Sequence, residues 1–333
     1  MRIFIISLCS LLLLQSCENK REALGADNEI RVICSEVDRP IIHEFLNSIF
    51  TDTLFTPEPE PYYHLKYSAP ESYNGLKKQA YVVVGAVDRD AGNSGNQLVK
   101  KLLPESQFNQ TLTGDPIILA KDVHSTKQLF IVINASSKSH LMSHVDAKRN
   151  FFRSQFFEQF KDRQARFIFG DDRNKELEDS LKTTFGISLK IPWGWELIKF
   201  NEEKNFVWIG NEMPFQWIGI SWEKGNQVDD ELSVGQKLWQ WPSYHYDFIQ
   251  FNDYKFKMDK VDVNGLNAFR ADGLWETIDI KEAKGGPFRS YIFYDEKRDK
   301  TFHLNFLIHH PGNDKSIFMR QLDLIAKSFK ALS

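Results

Sequence analysis

Residues 289–332 read RSYIFYDEKRDKTFHLNFLIHHPGNDKSIFMRQLDLIAKSFKAL, and their pattern predicts how the second half of the chain folds. Residues 289–294 and 301–308 are rich in the β-branched and aromatic side chains typical of strands. After the turn sequence PGND, residues 316–332 repeat apolar side chains at helical spacing. Because an amphipathic helix must bury its apolar stripe, we expect an antiparallel sheet that this C-terminal helix covers.

The other segments predict strands and helices in both halves. The predicted strands are 30–34, 62–67, 80–87, 129–133, 187–191, 205–209 and 217–222, and the predicted helices are 40–51, 139–165 and 175–185. The expected fold class is therefore α+β, with two compact α/β domains. We place an N-terminal α/β domain at residues 30–173 and a tryptophan-rich, strand-rich C-terminal domain at residues 174–333.

The N-terminal sequence MRIFIISLCSLLLLQSC predicts a bacterial lipoprotein signal. Its apolar run of about a dozen residues is too short to span a bilayer as a helix, and a small residue precedes Cys17. We predict a signal peptide over residues 1–16, attachment of diacylglycerol and an acyl chain such as palmitate at Cys17, and a flexible tether up to residue 29. The alternative is a plain secretory signal with an unrelated cysteine.

This anchor predicts a membrane-bound protein of the cell envelope. Residues 18–21, ENKR, lack the dense acidic run that surface lipoproteins often carry after the anchor cysteine, so we expect the outer membrane and its periplasmic face. With Cys9 removed and Cys17 acylated, Cys34 has no partner for an intrachain disulfide. We interpret Cys34 as a buried small hydrophobe rather than a catalytic thiol.

The composition indicates a well-packed globular body. Apolar residues make up 42% of the chain, which has 27 phenylalanines, and no stretch after the signal resembles a membrane-spanning helix. The formal net charge is −3, and no dense basic run is present, so nucleic acid is not an expected partner.

All eight tryptophans lie between Trp193 and Trp275. Exposed tryptophans can stack on sugar rings or receive a protein surface, whereas buried ones build an aromatic core. Strand periodicity favours the core interpretation for several of them. We select Trp239 and Trp241 as candidate binding residues because they adjoin Pro242 in a predicted turn.

The motif Gly285-Gly286-Pro287-Phe288 is a second candidate for binding. Paired glycines permit positive φ or close backbone approach, and proline then fixes the chain direction. This geometry serves a tight turn at a sheet edge as well as a ligand loop. We add Trp275, Arg289 and Arg320 as candidate binding residues that could lie near the motif.

The sequence carries no clear catalytic or metal-binding pattern. His140 and His144 stand four residues apart on a predicted helix, but no third ligand is identifiable and the HExxH pattern is absent. Nucleophile elbows and nucleotide-binding loops are absent too. We therefore assign no catalytic residue, metal ligand or cofactor, and expect a protein that is not an enzyme.

An ordered series of motifs resembles a known family of Bacteroidota lipoproteins, the domain of unknown function 4837. The series is IPWGW at 191–195, NFVWI at 205–209, GLWE at 273–276, GGPF at 285–288, HPG at 310–312 and MRQLD at 319–323. The family has no assigned activity, so the resemblance implies no catalytic residues. The region from residue 187 onward is also similar to the PsbP and Mog1 type of α/β sandwich, which implies a binding or assembly role.

The function that we expect is a lipid-anchored, non-enzymatic binding or assembly factor. Its partner would be another envelope protein or a small ligand. The alternative is a glycan-binding or glycan-processing lipoprotein that uses exposed tryptophans. A metal-dependent hydrolase built on His140 and His144 is a third hypothesis.

Overall fold

A computed structural model describes residues 20–212, 214–279, 281 and 283–332. The predicted signal peptide and Cys17 lie outside these residues. The chain divides into two compact units. Unit 1 comprises the residues up to Ala26 together with Arg31–Arg39 and Tyr67–Ser137; unit 2 comprises Asp27–Ile30, Pro40–Lys66 and Lys138–Ser333.

The described residues form both helices and strands. In chain order the α-helices are α1 (Arg39–Ile49), α2 (Tyr73–Leu76), α3 (Ser94–Leu102), α4 (Glu105–Thr113), α5 (Lys138–Met142), α6 (Val145–Phe169), α7 (Lys175–Phe185), α8 (Glu231–His245) and α9 (Ser316–Ala326). The strands are β1 (Glu29–Cys34), β2 (Thr53–Leu54), β3 (Glu60–Pro61), β4 (His64–Ser68), β5 (Tyr81–Ala86), β6 (Ile117–Lys121), β7 (Leu129–Asn134), β8 (Ile187–Ser188), β9 (Glu196–Asn201), β10 (Phe206–Glu212), β11 (Phe215–Lys224), β12 (Ile249–Val263), β13 (Leu266–Thr277), β14 (Gly285–Asp295), β15 (Lys300–His309) and β16 (Lys330–Ala331).

Unit 1 contains β5, β6 and β7, most of β1 and the end of β4, which are strands of the five-stranded sheet β4-β1-β5-β7-β6. Strands β1, β5 and β7 run parallel, and β6 runs antiparallel to β7. Every residue of β5 and β7 is buried, as their continuous apolar sequences predict for strands covered on both faces. Val99 of α3 and Phe108 of α4 pack with these strands in the core of the unit.

Unit 2 is built on the seven-stranded antiparallel sheet β12-β13-β14-β15-β11-β10-β9. Side chains of α6, α7 and α9 pack on one face, which we call the α9 face. Side chains of α8 pack on the other face, which we call the α8 face. The expected α+β fold class and the sheet covered by a C-terminal helix are confirmed.

Two predicted elements are wrong in their extent. The helix predicted at 139–165 is divided, since the short α5 ends at Met142 and α6 begins at Val145. The C-terminal helix ends at Ala326, and Lys330 and Ala331 then pair with β8 as the strand β16. That pairing gives the last residues backbone hydrogen bonds that helical periodicity cannot reveal.

The turn predicted around Pro242 is also wrong, because this residue lies inside α8. Asp230 begins the helix by accepting hydrogen bonds from the backbone N–H groups of Leu232 and Ser233. Pro242 falls in the last turn and a half of α8, so it removes one helical hydrogen bond without preventing the helix from reaching His245.

The compact units and the predicted domains have different boundaries, because residues 138–173 belong to unit 2. Phe160 and Ile168 of α6 pack in the core that lies on the α9 face. The boundary at residue 173 stays a prediction from the sequence. No helix in the described ranges combines the length and apolarity needed to cross a membrane.

Candidate functional site

The glycine-rich motif at residues 285–288 begins β14 and pairs with β13. A Cβ atom added to Gly286 would lie 2.0 Å from the carbonyl oxygen of Ile308, so the close approach of the β15 backbone requires glycine here. Phe288 is fully buried and stacks on Phe251. The motif thus packs β14 closely against its neighbours in the sheet. Its two glycines also line an open surface pocket of about 750 Å³.

Two of the three candidate tryptophans are buried on the α8 face. The indole N–H of Trp275 donates to the carbonyl oxygen of Ile308 (3.1 Å), and that of Trp241 donates to Ser221 Oγ (2.8 Å). Trp241 is only 4% exposed, which contradicts the exposure expected from a turn. Trp239 stays 36% exposed at the surface of α8.

Arg289 lies on the α9 face, opposite its neighbour Phe288, because side chains alternate along β14. Its Nε donates to Asp272 Oδ1 (2.6 Å) and its Nη1 donates to Asp323 Oδ2 (2.5 Å). Burial opposes the charge, but the Asp323 and Asp272 carboxylates outweigh it and raise the pKa of Arg289 above its ordinary value. Arg289 is therefore a fully neutralised, structural cation.

Arg320 projects from α9 and is 7% exposed. Its guanidinium carbon lies 3.5 Å from the ring centroid of Phe160 and 4.7 Å from that of Tyr63. Its Nη2 donates to the Tyr63 hydroxyl (2.6 Å). Its Nη1 is buried without a hydrogen-bond acceptor among the described residues, and the guanidinium forms no ion pair there. Arg320 is thus a buried cation held by aromatic rings.

Arg289 and Arg320 line one cavity of about 300 Å³, which we call the arginine–tyrosine pocket. All of its lining residues belong to unit 2. They are the four arginines Arg153, Arg270, Arg289 and Arg320, the tyrosines Tyr62 and Tyr63, the phenylalanines Phe50 and Phe157, and the carboxylates Asp52 and Asp323. The cavity therefore combines guanidinium groups with aromatic faces and hydroxyls.

Three of these arginines have carboxylate partners. Arg153 pairs with Asp52 (3.0 Å), Arg270 pairs with Asp259 (3.1 Å), and Arg289 pairs as described above. Burial opposes the charge on Arg270 too, but nearby Asp272 raises its pKa. Arg320 thus differs from the other three, and its free donor atom makes it the group that an incoming anion would neutralise.

Tyr62, Tyr63, Arg153 and Arg270 were not predicted from the sequence as site residues. A tandem tyrosine directly after the acidic, proline-rich residues 56–61 was the available signal for the first two. The arginines gave no signal, because single basic residues on a helix or strand are usually exposed. Arg289 and Arg320, which were identified, are the two that lie closest to full burial in the pocket.

Cys34, His140 and His144, which were considered as reactive groups from the sequence, lie outside the arginine–tyrosine pocket. Cys34 is 4% exposed in β1, and burial together with Asp38 raises its pKa to about 12, so the expected buried thiol is confirmed and is unreactive. His144 precedes α6 and its Nδ1 lies 3.0 Å from the carbonyl oxygen of His140. Within the described ranges, no three His, Cys, Asp or Glu side chains are placed to hold a metal ion.

Several solved structures are similar to parts of this chain. A Bacteroides thetaiotaomicron protein is 13% identical and aligns over 44% of this chain and 46% of its own length (TM-score 0.28). The Ran-binding protein Mog1p of Saccharomyces cerevisiae is 9% identical over 44% of this chain and 91% of its own (TM-score 0.32). LpqN of Mycobacterium tuberculosis, described as involved in cell envelope biogenesis, is 13% identical over 44% and 83% (TM-score 0.28).

Mog1 is thus among the structures similar to this chain, as the sequence resemblance implies, but TM-scores this low carry no argument about function. No curated protein sequence matches the chain. The sequence does match a family model: residues 174–328, which include β14, α9 and hence Arg289 and Arg320, are similar to the DUF4837 model, a domain of unknown function.

Proposed function

We propose that this protein is a lipid-anchored, non-enzymatic binding protein of the cell envelope, and that the arginine–tyrosine pocket binds a small anionic ligand. One observation carries the proposal for the pocket: the buried Nη1 of Arg320 has no acceptor among the described residues. A desolvated donor on a charged group is costly to leave unpaired, so a carboxylate or phosphate oxygen at this atom would be strongly favoured.

The surroundings of Arg320 favour a small ligand. A volume of about 300 Å³ is at the lower end of the range for ligand pockets. The faces of Tyr62 and Tyr63 border the same space and can pack against the body of an organic anion. Inorganic phosphate and a small carboxylate share the chemistry that the guanidinium recognises, and binding measurements with each distinguish them.

Calorimetric titration of the purified acylated protein in detergent, with phosphate and with benzoate in separate experiments, tests this proposal. We expect one of the two to bind, and Arg320→Met to weaken that binding at least about tenfold, which is a loss of about 1.4 kcal/mol. Arg298→Met is the matched control, because Arg298 pairs with Asp295 outside the pocket. Binding of neither anion, or equal binding by Arg320→Met, would overturn the proposal.

The lipid anchor is supported by the apolar segment that ends at Cys17. Growth of expressing cells with labelled palmitate should label the wild-type protein and leave Cys17→Ala unlabelled. Cys9→Ala is the matched control, because Cys9 lies within the predicted signal peptide and is removed before the acylated protein matures. Label on Cys17→Ala would mean that the anchor is elsewhere.

The outer-membrane location facing the periplasm is supported by the absence of an acidic run in residues 18–21. A protease added to intact cells should leave the protein whole, and it should degrade the protein after the outer membrane is permeabilised. Degradation in intact cells would place the protein on the cell surface instead.

A further inference from the structure

Trp193 is the most exposed of the large apolar side chains in the described residues, at 75%. The backbone on either side of it is nevertheless fixed. The N–H of Ile191 donates to Glu178 Oε1 (2.9 Å), and its carbonyl oxygen accepts from the backbone N–H of Asn174 (2.9 Å). Two residues after Trp193, the carbonyl oxygen of Trp195 accepts from Asn174 Nδ2 (2.8 Å). The loop therefore holds an indole in solvent on a rigid support.

This indole borders a cleft of about 610 Å³ in unit 2, which we call the Trp193 cleft. A second aromatic ring on the cleft, that of Phe167, is 55% exposed. The guanidinium carbon of Arg166 lies 4.5 Å from the centroid of that ring. Two exposed aromatic side chains on one concave surface are unusual for a free protein surface, since such area is normally covered by a ligand or partner.

The remaining lining combines apolar side chains, such as those of Pro192, Phe318 and Ile325, with several amides. Asn211, Gln216 and Gln321 line the cleft together with Asp172. Each amide side chain offers a donor and an acceptor from one planar group, which matches a sugar hydroxyl that must both give and accept a hydrogen bond. Gln321 Nε2 donates to Gln164 Oε1 (2.7 Å), so the Oε1 of Gln321 is the atom of this amide that can accept from a hydroxyl group. The lining forms no dense charged patch for an acidic partner.

We propose that the Trp193 cleft is a glycan-binding site in which the indole of Trp193 packs against the C–H face of a sugar ring. The amides of Asn211, Gln216 and Gln321 then bind the hydroxyl groups. The Trp193 cleft shares no lining residue with the arginine–tyrosine pocket, so this proposal does not depend on the anionic ligand.

Calorimetric titration with a panel of soluble hexasaccharides tests the proposal: maltohexaose, xylohexaose, cellohexaose and chitohexaose, each with the purified acylated protein in detergent. At least one member should bind the wild-type chain, and Trp193→Ala should weaken that binding at least tenfold. Because Trp193 is mostly exposed, this variant should keep the thermal midpoint of the wild type.

Trp239→Ala is the matched control, since it also removes a partly exposed indole but one outside the cleft, and its affinity should equal that of the wild type. Gln321→Ala should weaken binding without changing the fluorescence of the remaining tryptophans. Failure of all four oligosaccharides to bind at millimolar concentration would overturn the proposal. Equal affinity of Trp193→Ala and the wild type would overturn it as well.

Discussion

The two faces of the seven-stranded sheet in unit 2 are built from different chemistry. The α8 face is an aromatic core in which the indole N–H groups of Trp241 and Trp275 donate to Ser221 Oγ and to the carbonyl oxygen of Ile308. The α9 face contains an apolar core, but at the position of β13 and β14 it also holds buried arginines and carboxylates. Aromatic residues therefore stabilise the fold on the α8 face, whereas charged residues form the candidate site on the α9 face.

Adjacent residues illustrate this difference. Phe288 is fully buried on the α8 face against Phe251, whereas Arg289 pairs with Asp272 and Asp323 on the α9 face. A strand assigns neighbouring side chains to opposite faces, so one motif contributes to both. A residue's proximity in sequence to a glycine-rich motif therefore does not predict on which face of the sheet its side chain lies.

The largest effect that we expect is on the α8 face. Trp275→Ala would leave a cavity and an unpaired Ile308 carbonyl oxygen, and it should lower the free energy of unfolding by about 4 to 5 kcal/mol. Urea unfolding followed by circular dichroism measures this loss. Trp239→Ala, at the exposed surface of α8, should cost less than about 1 kcal/mol. Equal costs would mean that the tryptophans of this domain do not form a core.

The ion pairs of the α9 face provide the next test. Arg289→Met would leave Asp272 and Asp323 without their shared cation, and it should lower the free energy of unfolding by about 3 to 4 kcal/mol. The same urea experiment at neutral pH gives the value. A loss below about 1 kcal/mol would show that the two carboxylates do not rely on Arg289 for neutralisation.

The α8 face should also lose stability in acid. Burial lowers the pKa of His245 to about 3, with Lys204 and Lys199 acting in the same direction, and burial lowers the pKa of His303 well below its ordinary value. Both rings are therefore neutral when folded, and the unfolded chain alone takes up protons below about pH 6.5. His245 should therefore remove about 2 kcal/mol of stability between pH 6.5 and pH 4.5, and His303 should lower the stability in the same direction.

Urea unfolding at several pH values across that range gives the slope of the free energy of unfolding against pH. His303→Phe should reduce the slope by the share of one histidine, whatever its effect on stability at neutral pH. His43→Gln, which alters an exposed histidine in α1, should leave the slope unchanged. A slope that His303→Phe does not alter would show that His303 does not contribute to the loss of stability in acid.

The smallest effect should come from Arg320, in contrast to Arg289. Arg320→Met removes a buried cation that has no carboxylate partner among the described residues, and methionine can pack on Phe160, so the free energy of unfolding should change by less than about 1 kcal/mol. The comparison of Arg320→Met with Arg289→Met in urea distinguishes a ligand-binding arginine from a structural one. A cost near that of Arg289→Met would assign Arg320 to the fold.

Much of the fold could be predicted from local patterns. The apolar runs at 80–87 and 129–133 and the amphipathic segment at 175–185 correspond to β5, β7 and α7. Strands β12 and β13 were not predicted, because charged and polar residues interrupt their apolar alternation. The helix α8 was missed because Pro242 and its aromatic neighbours favoured a turn in the sequence.

The candidate site was only partly predictable. Arg289 and Arg320 were selected from the sequence, but for their nearness to a glycine-rich motif that the structure places in the sheet. The exposed indole was expected at Trp239 and Trp241, whereas Trp193 is far more exposed than either. Local sequence does not reveal which aromatic side chain a neighbouring helix will cover, so the choice among eight tryptophans needed the packed sheet.

The helices and strands follow from local sequence, because hydrophobic periodicity and turn residues act over a few neighbouring positions. Local sequence also determined that unit 2 would need a sheet to bury the stripe of α9. Which arginine lacks a carboxylate partner among the described residues depends instead on how distant segments pack in the folded chain. Arg289 meets Asp272 and Asp323 while Arg320 meets Tyr63 and Phe160, and these partners come from segments far apart in the chain. Ion pairing in a folded protein depends on distances that the fold alone sets.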